Sequence, residues 1–376
     1  ERGLIDMKLN ELSTPNFILN LDVLENNLKV VQDLCNKYNK QLWPMTKTHK
    51  SSKIAKMQIE CGASGLLVGT VDEAEAFVNE GVKNITFPYP IANIANIKRV
   101  IELSKRSRII LSFDNIECAK TWNEELSNEN ITLEYFILIN SGLNRLGVKT
   151  NELLFLANEL KEYKNLKLVG ISTHPGHVYS VSSANEVASI SNQEICVMSE
   201  AKNVLISNGF DIEFVATGST PTFFDVVDND VFDILRPGNY TFYDNIQLSL
   251  DVCKEEDCSL TALGTIISRP SQDLFIVDVG SKCLGLDKGA HGSSLITGFG
   301  KVKGHDELNI IGLSEEVGKI EILGDTNLKV GDKIEIIPNH SCSCANMTSY
   351  VVGYRGDDVV EIIDIDVRGN SKKPIL

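Results

Sequence analysis

Two periodicities of apolar and polar positions divide the chain. Across residues 40–240, short apolar runs at 42–47, 65–69, 85–89, 108–113, 134–140, 166–173, 212–217 and 232–237 alternate with longer amphipathic stretches. In stretches such as 51–61 and 191–208 the apolar residues recur three and four positions apart, the spacing of a helix with one buried face. Residues 22–39 read as a further amphipathic helix ahead of the first run. Strands alternating with helices imply parallel pairing with right-handed crossovers, and eight such units fit a closed (β/α)8 TIM barrel better than an open sheet.

After about residue 245 the pattern changes. The runs at 260–270, 273–281, 332–338, 348–356 and 358–367 are strand-like, separated by Gly, Asp and Asn turns, and carry little helical periodicity. The expected α/β architecture is therefore a barrel over residues 16–244, with residues 1–15 and 245–376 forming a β domain. No solenoid repeat or low-complexity tract interrupts it.

Composition narrows the function classes. With 376 residues, 43% of them hydrophobic, the chain can bury a large core. A formal charge of −15 with scattered Lys and Arg offers no footprint for nucleic acid or an anionic membrane and suits a small-molecule ligand. No apolar run approaches the roughly 18 residues needed to span a bilayer, and the opening residues lack the pattern of a signal peptide, so a cytoplasmic protein is expected. Most of the nine cysteines, an odd number in a large chain, read as reduced thiols. Only Cys253 with Cys258 and Cys342 with Cys344 are close in sequence, and no further pair completes a four-thiolate structural zinc site.

A barrel places its chemistry at the C-terminal ends of its strands. Lys47 falls where the first run gives way to a helix; it is either a solvated loop charge or an amine held over the barrel mouth for covalent catalysis. Gly218, Ser219 and Thr220 end the seventh run and Gly238 and Asn239 the eighth. Taken alone the former is a helix cap, but glycine-containing turns at strands seven and eight together match the usual phosphate site of such barrels. A first-strand lysine opposite a phosphate cradle describes a pyridoxal phosphate (PLP) barrel.

On these features, and on the segments 140–148, 170–179, 253–270, 278–289, 312–318 and 338–347, the chain resembles the fold-type III PLP enzymes of the alanine racemase-like group, in the branch of D-serine dehydratase and D-threonine aldolase. The resemblance implies that Lys47 is the lysine carrying the cofactor, with Lys50 outside the matching position. It implies that Arg145, with Asn144 beside it, reaches the phenolic oxygen, that His174 packs on the pyridine ring, and that Tyr179 lies near cofactor and substrate. Thr220, Gly238 and Asn239 match phosphate contacts, and Arg236 matches the arginine facing the ring nitrogen; for Arg145 and Arg236 the competing reading is an ion pair fixing a loop.

His340 and Cys342 resemble the pair that holds Zn2+ beside PLP in the dehydratases, with open coordination positions suited to catalysis. The aldolases have an aspartate where Cys342 stands, which suits harder ions, and Cys344 matches no ligand. The implied reaction removes water from D-serine or a related D-3-hydroxy amino acid: Lys47 takes the α-proton, the metal polarises the β-hydroxyl, and a keto acid and ammonia result. The rivals are D-threonine aldolase-type cleavage, a racemase, for which no tyrosine segment of the usual kind is found, and a non-catalytic PLP carrier, against which the β domain and metal pair argue. A homodimer follows from resemblance alone.

Departures from the family pattern concern the substrate. Trp43 and Met45 replace an arginine and a histidine, Val317 stands where a histidine is common, Asn140 where an aspartate is usual, and no second tyrosine follows Tyr179. His291 and His305 read as surface residues, whereas His49 and His177 lie closer to the chemistry.

Overall fold

The computed structural model describes residues 7–287 and 294–369. After β1 (Asn16–Asn20), eight parallel strands follow: β2 (Gln41–Leu42), β3 (Leu66–Leu67), β4 (Asn84–Thr86), β5 (Arg108–Phe113), β6 (Leu133–Leu138), β7 (Leu166–Ser172), β8 (Phe214–Thr217) and β9 (Ile234–Leu235). They are ordered β2-β9-β8-β7-β6-β5-β4-β3, and a parallel bridge between Met45 and Leu67 joins the two ends into a barrel. Each strand overlaps one of the eight apolar runs.

Six buried side chains, Trp43, Ile110, Phe136, Val169, Ala216 and Ile234, meet across the barrel and fill its interior. Trp43 is the largest of them, and Gly65 makes room for it: a Cβ there would stand 2.7 Å from the indole ring. The position where relatives carry an arginine is therefore a core position here, and the cation is absent from the barrel floor, where a charge would be costly. Met45, two residues on, does line the site described below.

The second sheet contains β1 with β10 (Leu260–Ser271), β11 (Leu274–Val277), β12 (Lys301–Val302), β13 (Leu308–Leu313), β14 (Gly318–Ile322), β15 (Lys333–Ile337), β16 (Tyr350–Arg355) and β17 (Asp358–Asp364), in the order β11-β14-β13-β12-β15-β10-β1-β16-β17. This corrects the expected division. Strand β1 runs antiparallel to β10, with Asn16 opposite Leu263, and parallel to β16, with Ile18 opposite Val352, so residues 16–20 belong to the β domain. The reason lies in three consecutive buried residues, Phe17, Ile18 and Leu19, which suit a strand covered on both faces. The barrel begins after Asn20, whose side chain caps the helix Leu21–Lys37 by accepting from the backbone N–H groups of Asp22 and Val23.

Strands β12 to β14 were not among the expected runs. The first has two residues, and the hairpin of the other two is interrupted by an irregularity between Ile310 and Gly312, which breaks the apolar alternation. No helix among the described residues is long and apolar enough to cross a membrane.

Candidate active site

A cavity of about 680 Å3 opens between the C-terminal ends of the barrel strands and the β domain. Lys47 enters it from the tight turn Thr46–Thr48 that follows β2. That turn is anchored from below, since Thr46 Oγ1 donates to the buried Glu73 carboxylate at 2.9 Å. Gly69 lets it pass, because a Cβ there would lie 2.9 Å from Lys47 Cβ. Lys50 is engaged differently: its Nζ stands 3.8 Å from Glu73 Oε2 and donates to the Gly369 carbonyl at 2.6 Å. Burial raises the Glu73 carboxyl above its usual value, against the pull of Lys50 and the Thr46 and Thr70 hydroxyls.

The opposite wall is built from the ends of β7, β8 and β9. A Cβ on Gly218 would lie 2.4 Å from the Arg236 carbonyl oxygen, so only glycine lets these two strand ends approach. The Gly218 carbonyl accepts from His174 Nδ1, which fixes the imidazole tautomer and leaves Nε2 without the proton. Burial and then the positive charge of Lys47 hold His174 down at about 3, so it is neutral. Ser219 Oγ lies 2.9 Å from Thr222 Oγ1.

Arg236 is buried on the cavity wall and donates through Nη2 to the Thr173 carbonyl at 2.8 Å, while its Nε and Nη1 have no partner. Burial lowers its pKa to about 10. The ion-pair reading of this arginine finds no support, since the residue it bonds is a backbone carbonyl.

Two expected contacts fall off the cavity wall. Asn144 adopts φ 55° in the loop after β6 and turns its Oδ1 to Asn140 Nδ2 at 3.0 Å, closing the turn that presents Arg145 to the cavity. Thr220 sits behind Ser219 and accepts from the Tyr240 backbone N–H at 3.2 Å. Tyr179, in the turn Gly176–Ser180, lines the cavity.

The β domain contributes the third side. His340 and Cys342 flank the start of the short helix Ser341–Ala345, and both line the cavity. His340 Nδ1 is 3.1 Å from Asp287 Oδ2 and 3.2 Å from Ser343 Oγ, which leaves Nε2 for another partner. Cys342 Sγ lies 3.3 Å from Thr48 Oγ1, one residue from Lys47. Burial works against ionisation of both groups, yet mutual attraction prevails: the Cys342 thiolate and Asp287 push His340 up to about 10, while His340 and Lys47 bring the Cys342 thiol below its usual value.

The buried Asp244 ties this loop to the end of the barrel, accepting from Asn239 Nδ2 at 2.6 Å and from the Ser341 backbone N–H at 2.9 Å. Asn239, expected at the phosphate, spends its Nδ2 on this link, while its Oδ1 is unpartnered.

Other groups are structural. His49 is fully buried between Gln58 and the Ser51 N–H and is held down at about 4 by burial. His177 leans on Gln193 away from the cavity, and His305 bonds Glu307 at 2.9 Å. His291 lies outside the described residues. All nine cysteines are free, and Cys344 donates to the Leu284 carbonyl at 3.3 Å. Asp244, Asp287 and Gln247 were not singled out from the sequence. Asp287 stands in a segment that carries the family resemblance and Asp244 just after the turn of Gly238 and Asn239, but their roles depend on contacts across 53 and 97 residues.

The donor set fits PLP: a lysine amine, two turns closed by glycines, and a buried arginine with two unpaired N–H-bearing nitrogens face one cavity. It also fits zinc. Imidazole and thiolate are its preferred ligands, and a carboxylate on the far nitrogen of the histidine is the usual support for a metal-bound imidazole. Among the described residues no group of three or more His, Cys, Asp or Glu is placed to hold a metal ion.

Barrel, lysine and β domain together define a barrel enzyme of the fold-type III class. The chain belongs to the family described as alanine racemase, N-terminal domain, whose model matches residues 19–245; a second, described as putative serine dehydratase domain, matches residues 259–354. It is 31% identical to D-serine dehydratase of Dictyostelium discoideum, over 91% of this chain and 93% of that protein. Among solved structures it is similar to D-threonine aldolase from Filomicrobium marinum, with TM-score 0.87 and 26% identity over 96% of this chain and 97% of that one. D-threo-3-hydroxyaspartate dehydratase from Delftia sp. HT23 gives TM-score 0.89 and 25% identity over 97% and 100%.

Proposed function

We propose that the protein is a PLP- and zinc-dependent lyase that removes water from a D-3-hydroxy amino acid, with D-serine as the simplest substrate, to give a keto acid and ammonia. The observation that carries this reading is the convergence of Lys47 from the barrel with His340 and Cys342 from the β domain on one cavity. The similarity to the dehydratases and the aldolase supports the reaction class.

When bound, PLP supplies the electron sink that acidifies the α-carbon, and zinc supplies Lewis acidity toward the β-hydroxyl. Lys47 would carry the cofactor and its amine is placed to take the α-proton. Arg236, with Nε and Nη1 unpartnered, and neutral His174, pinned by the Gly218 carbonyl, would hold the ring. Gly218, Ser219, Gly238 and Asn239 line the phosphate end, with Thr220 holding that wall from behind. His340 and Cys342 hold the metal, Asp287 orients the imidazole, and Tyr179 narrows the cavity around the substrate. A thiolate at 342, rather than a carboxylate, favours dehydration over aldol cleavage. The reading also takes the protein as cytoplasmic and, as the family resemblance implies, as a homodimer; sedimentation at twice the 41.5 kDa chain mass tests the dimer.

The test is to load the protein with PLP and zinc, reduce with borohydride and map the label, then supply D-serine and D-threonine. Label on Lys47 with pyruvate and ammonia from D-serine supports the proposal. Glycine and acetaldehyde from D-threonine alone would make it an aldolase, and no label would remove the enzyme reading.

A further inference from the structure

Holding one enantiomer of an amino acid requires three points of attachment. The lyase reading, on which this inference rests, supplies two: the amino group beside Lys47 and the β-hydroxyl at His340 and Cys342. The α-carboxylate needs a donor on the same cavity, and the cations there have other work. Lys47 is the reacting amine, and Lys50 is held by Glu73 and the Gly369 carbonyl. Arg236 is buried in the barrel wall on Thr173, and Arg145 sits on the exposed outer loop.

Gln247 meets the requirement. It lies on the cavity wall, is 0% exposed, and neither its Nε2 nor its Oε1 has a hydrogen-bond partner. Native proteins satisfy nearly all their buried polar groups, so two orphan atoms of one amide on a cavity wall mark a ligand contact. Its place is fixed: its backbone N–H donates to Asp244 Oδ1 at 3.2 Å, and the preceding Asn245 and Ile246 N–H groups bond the carbonyls of Pro338 and Asn339, directly before His340. The residue therefore belongs to a segment tied to the loop of the metal pair, and it lines the same cavity as His340 and Cys342. The Tyr179 hydroxyl is its neighbour: burial pushes that phenol up, and the Gln247 side chain is among the groups that pull it back.

We infer that Gln247 is the substrate-binding residue for the α-carboxylate of the D-amino acid. Nε2 donates to a carboxylate oxygen, and Oε1, which would repel that group, turns toward the Tyr179 hydroxyl, the donor within its reach. A neutral donor suits this place, because a further cation would oppose both Lys47 and the metal.

The test titrates the PLP-loaded protein with D-alanine, which has no leaving group, and with D-alaninamide, which lacks only the carboxylate charge. The change in cofactor absorbance reads binding without turnover. The wild type should bind D-alanine more tightly than its amide. Gln247→Leu should weaken D-alanine about 10–100-fold, as for loss of a hydrogen bond to a charged group, and leave the amide unchanged. Gln247→Glu, of the same shape and able to carry the test if the leucine variant does not fold, should weaken D-alanine further by repulsion while sparing the amide. Equal weakening of both ligands, or of neither, overturns the assignment. A wild type with no lysine-bound chromophore would overturn the lyase reading itself, and this inference with it.

Discussion

The two halves of the cavity are built by different means. The barrel side is shaped by backbone: at Gly69, Gly218 and Gly238 an added Cβ would stand within 3 Å of a neighbour, and the walls close on one another with little choice of side chain. The β-domain side is shaped by side chains. His340 and Cys342 are set by Asp287, Ser343, Thr48 and, through Ser341, by Asp244. Backbone-built walls hold one cofactor in one pose. Side-chain-built walls can exchange a ligand without refolding, and under the proposed function the thiolate at 342, where the resembling aldolases have an aspartate, would be such an exchange. The comparison teaches that the cofactor belongs to the fold, whereas the choice of reaction belongs to a few replaceable groups.

The largest effect is expected from removing the lysine proposed to carry the cofactor. Lys47→Ala should lower turnover by about 10^3-fold or more and abolish the borohydride-fixed label, since both covalent attachment and proton transfer depend on that amine. A variant that kept its label would move the chemistry to another lysine.

Next in size is the metal side. Cys342→Ala should cut elimination by about 10^2-fold or more while the cofactor absorbance persists, because the cofactor is proposed to hang from Lys47 and the barrel wall rather than from the thiolate. Loss of the absorbance in that variant would mean that the walls are coupled. Asp287→Asn should weaken zinc affinity by about 10–100-fold, measured by competition with a chelator, with the cofactor unaffected.

The smallest expected effect lies under the barrel wall. Glu194 is fully buried, donates nothing while ionised, accepts from Thr217 Oγ1 at 2.6 Å, and leaves Oε1 unpartnered. Burial raises its carboxyl from the ordinary 4.5 to about 7. Between those two values the folded state holds a proton that the unfolded chain has lost, so stability falls as pH rises through that window. Glu194→Gln, neutral throughout, should match the wild type in thermal denaturation at low pH and exceed it above neutrality by about 1–3 kcal/mol. A constant difference across pH would refute the shift.

Much of this architecture is legible in the residue pattern, because barrel strands are short apolar runs between amphipathic helices, and the eight of them stand out. Lys47, Gly218 and Gly238 are legible for a related reason, since strand ends are where this fold keeps its chemistry. Strand β1 was misassigned because a buried strand at the centre of a mixed sheet has the same composition as a barrel strand; its partners, Leu263 and Val352, lie far along the chain. Asn144 and Thr220 match family positions, yet hydrogen bonds to Asn140 and Tyr240 hold them off the cavity wall, and no spacing rule reports that. Trp43 shows the converse: a departure from the family pattern read as bearing on the substrate proves to be a core packing residue backed by Gly65.

The central claim is that the barrel's lysine and the β domain's metal pair act on one substrate. It is tested most directly by following pyruvate from D-serine in PLP-loaded protein before zinc is stripped by a chelator, after stripping, and after zinc is returned. This account predicts that pyruvate formation collapses without zinc and recovers on its return, and that Cys342→Ala recovers nothing. Pyruvate formed at an undiminished rate by the stripped protein and by Cys342→Ala would contradict it.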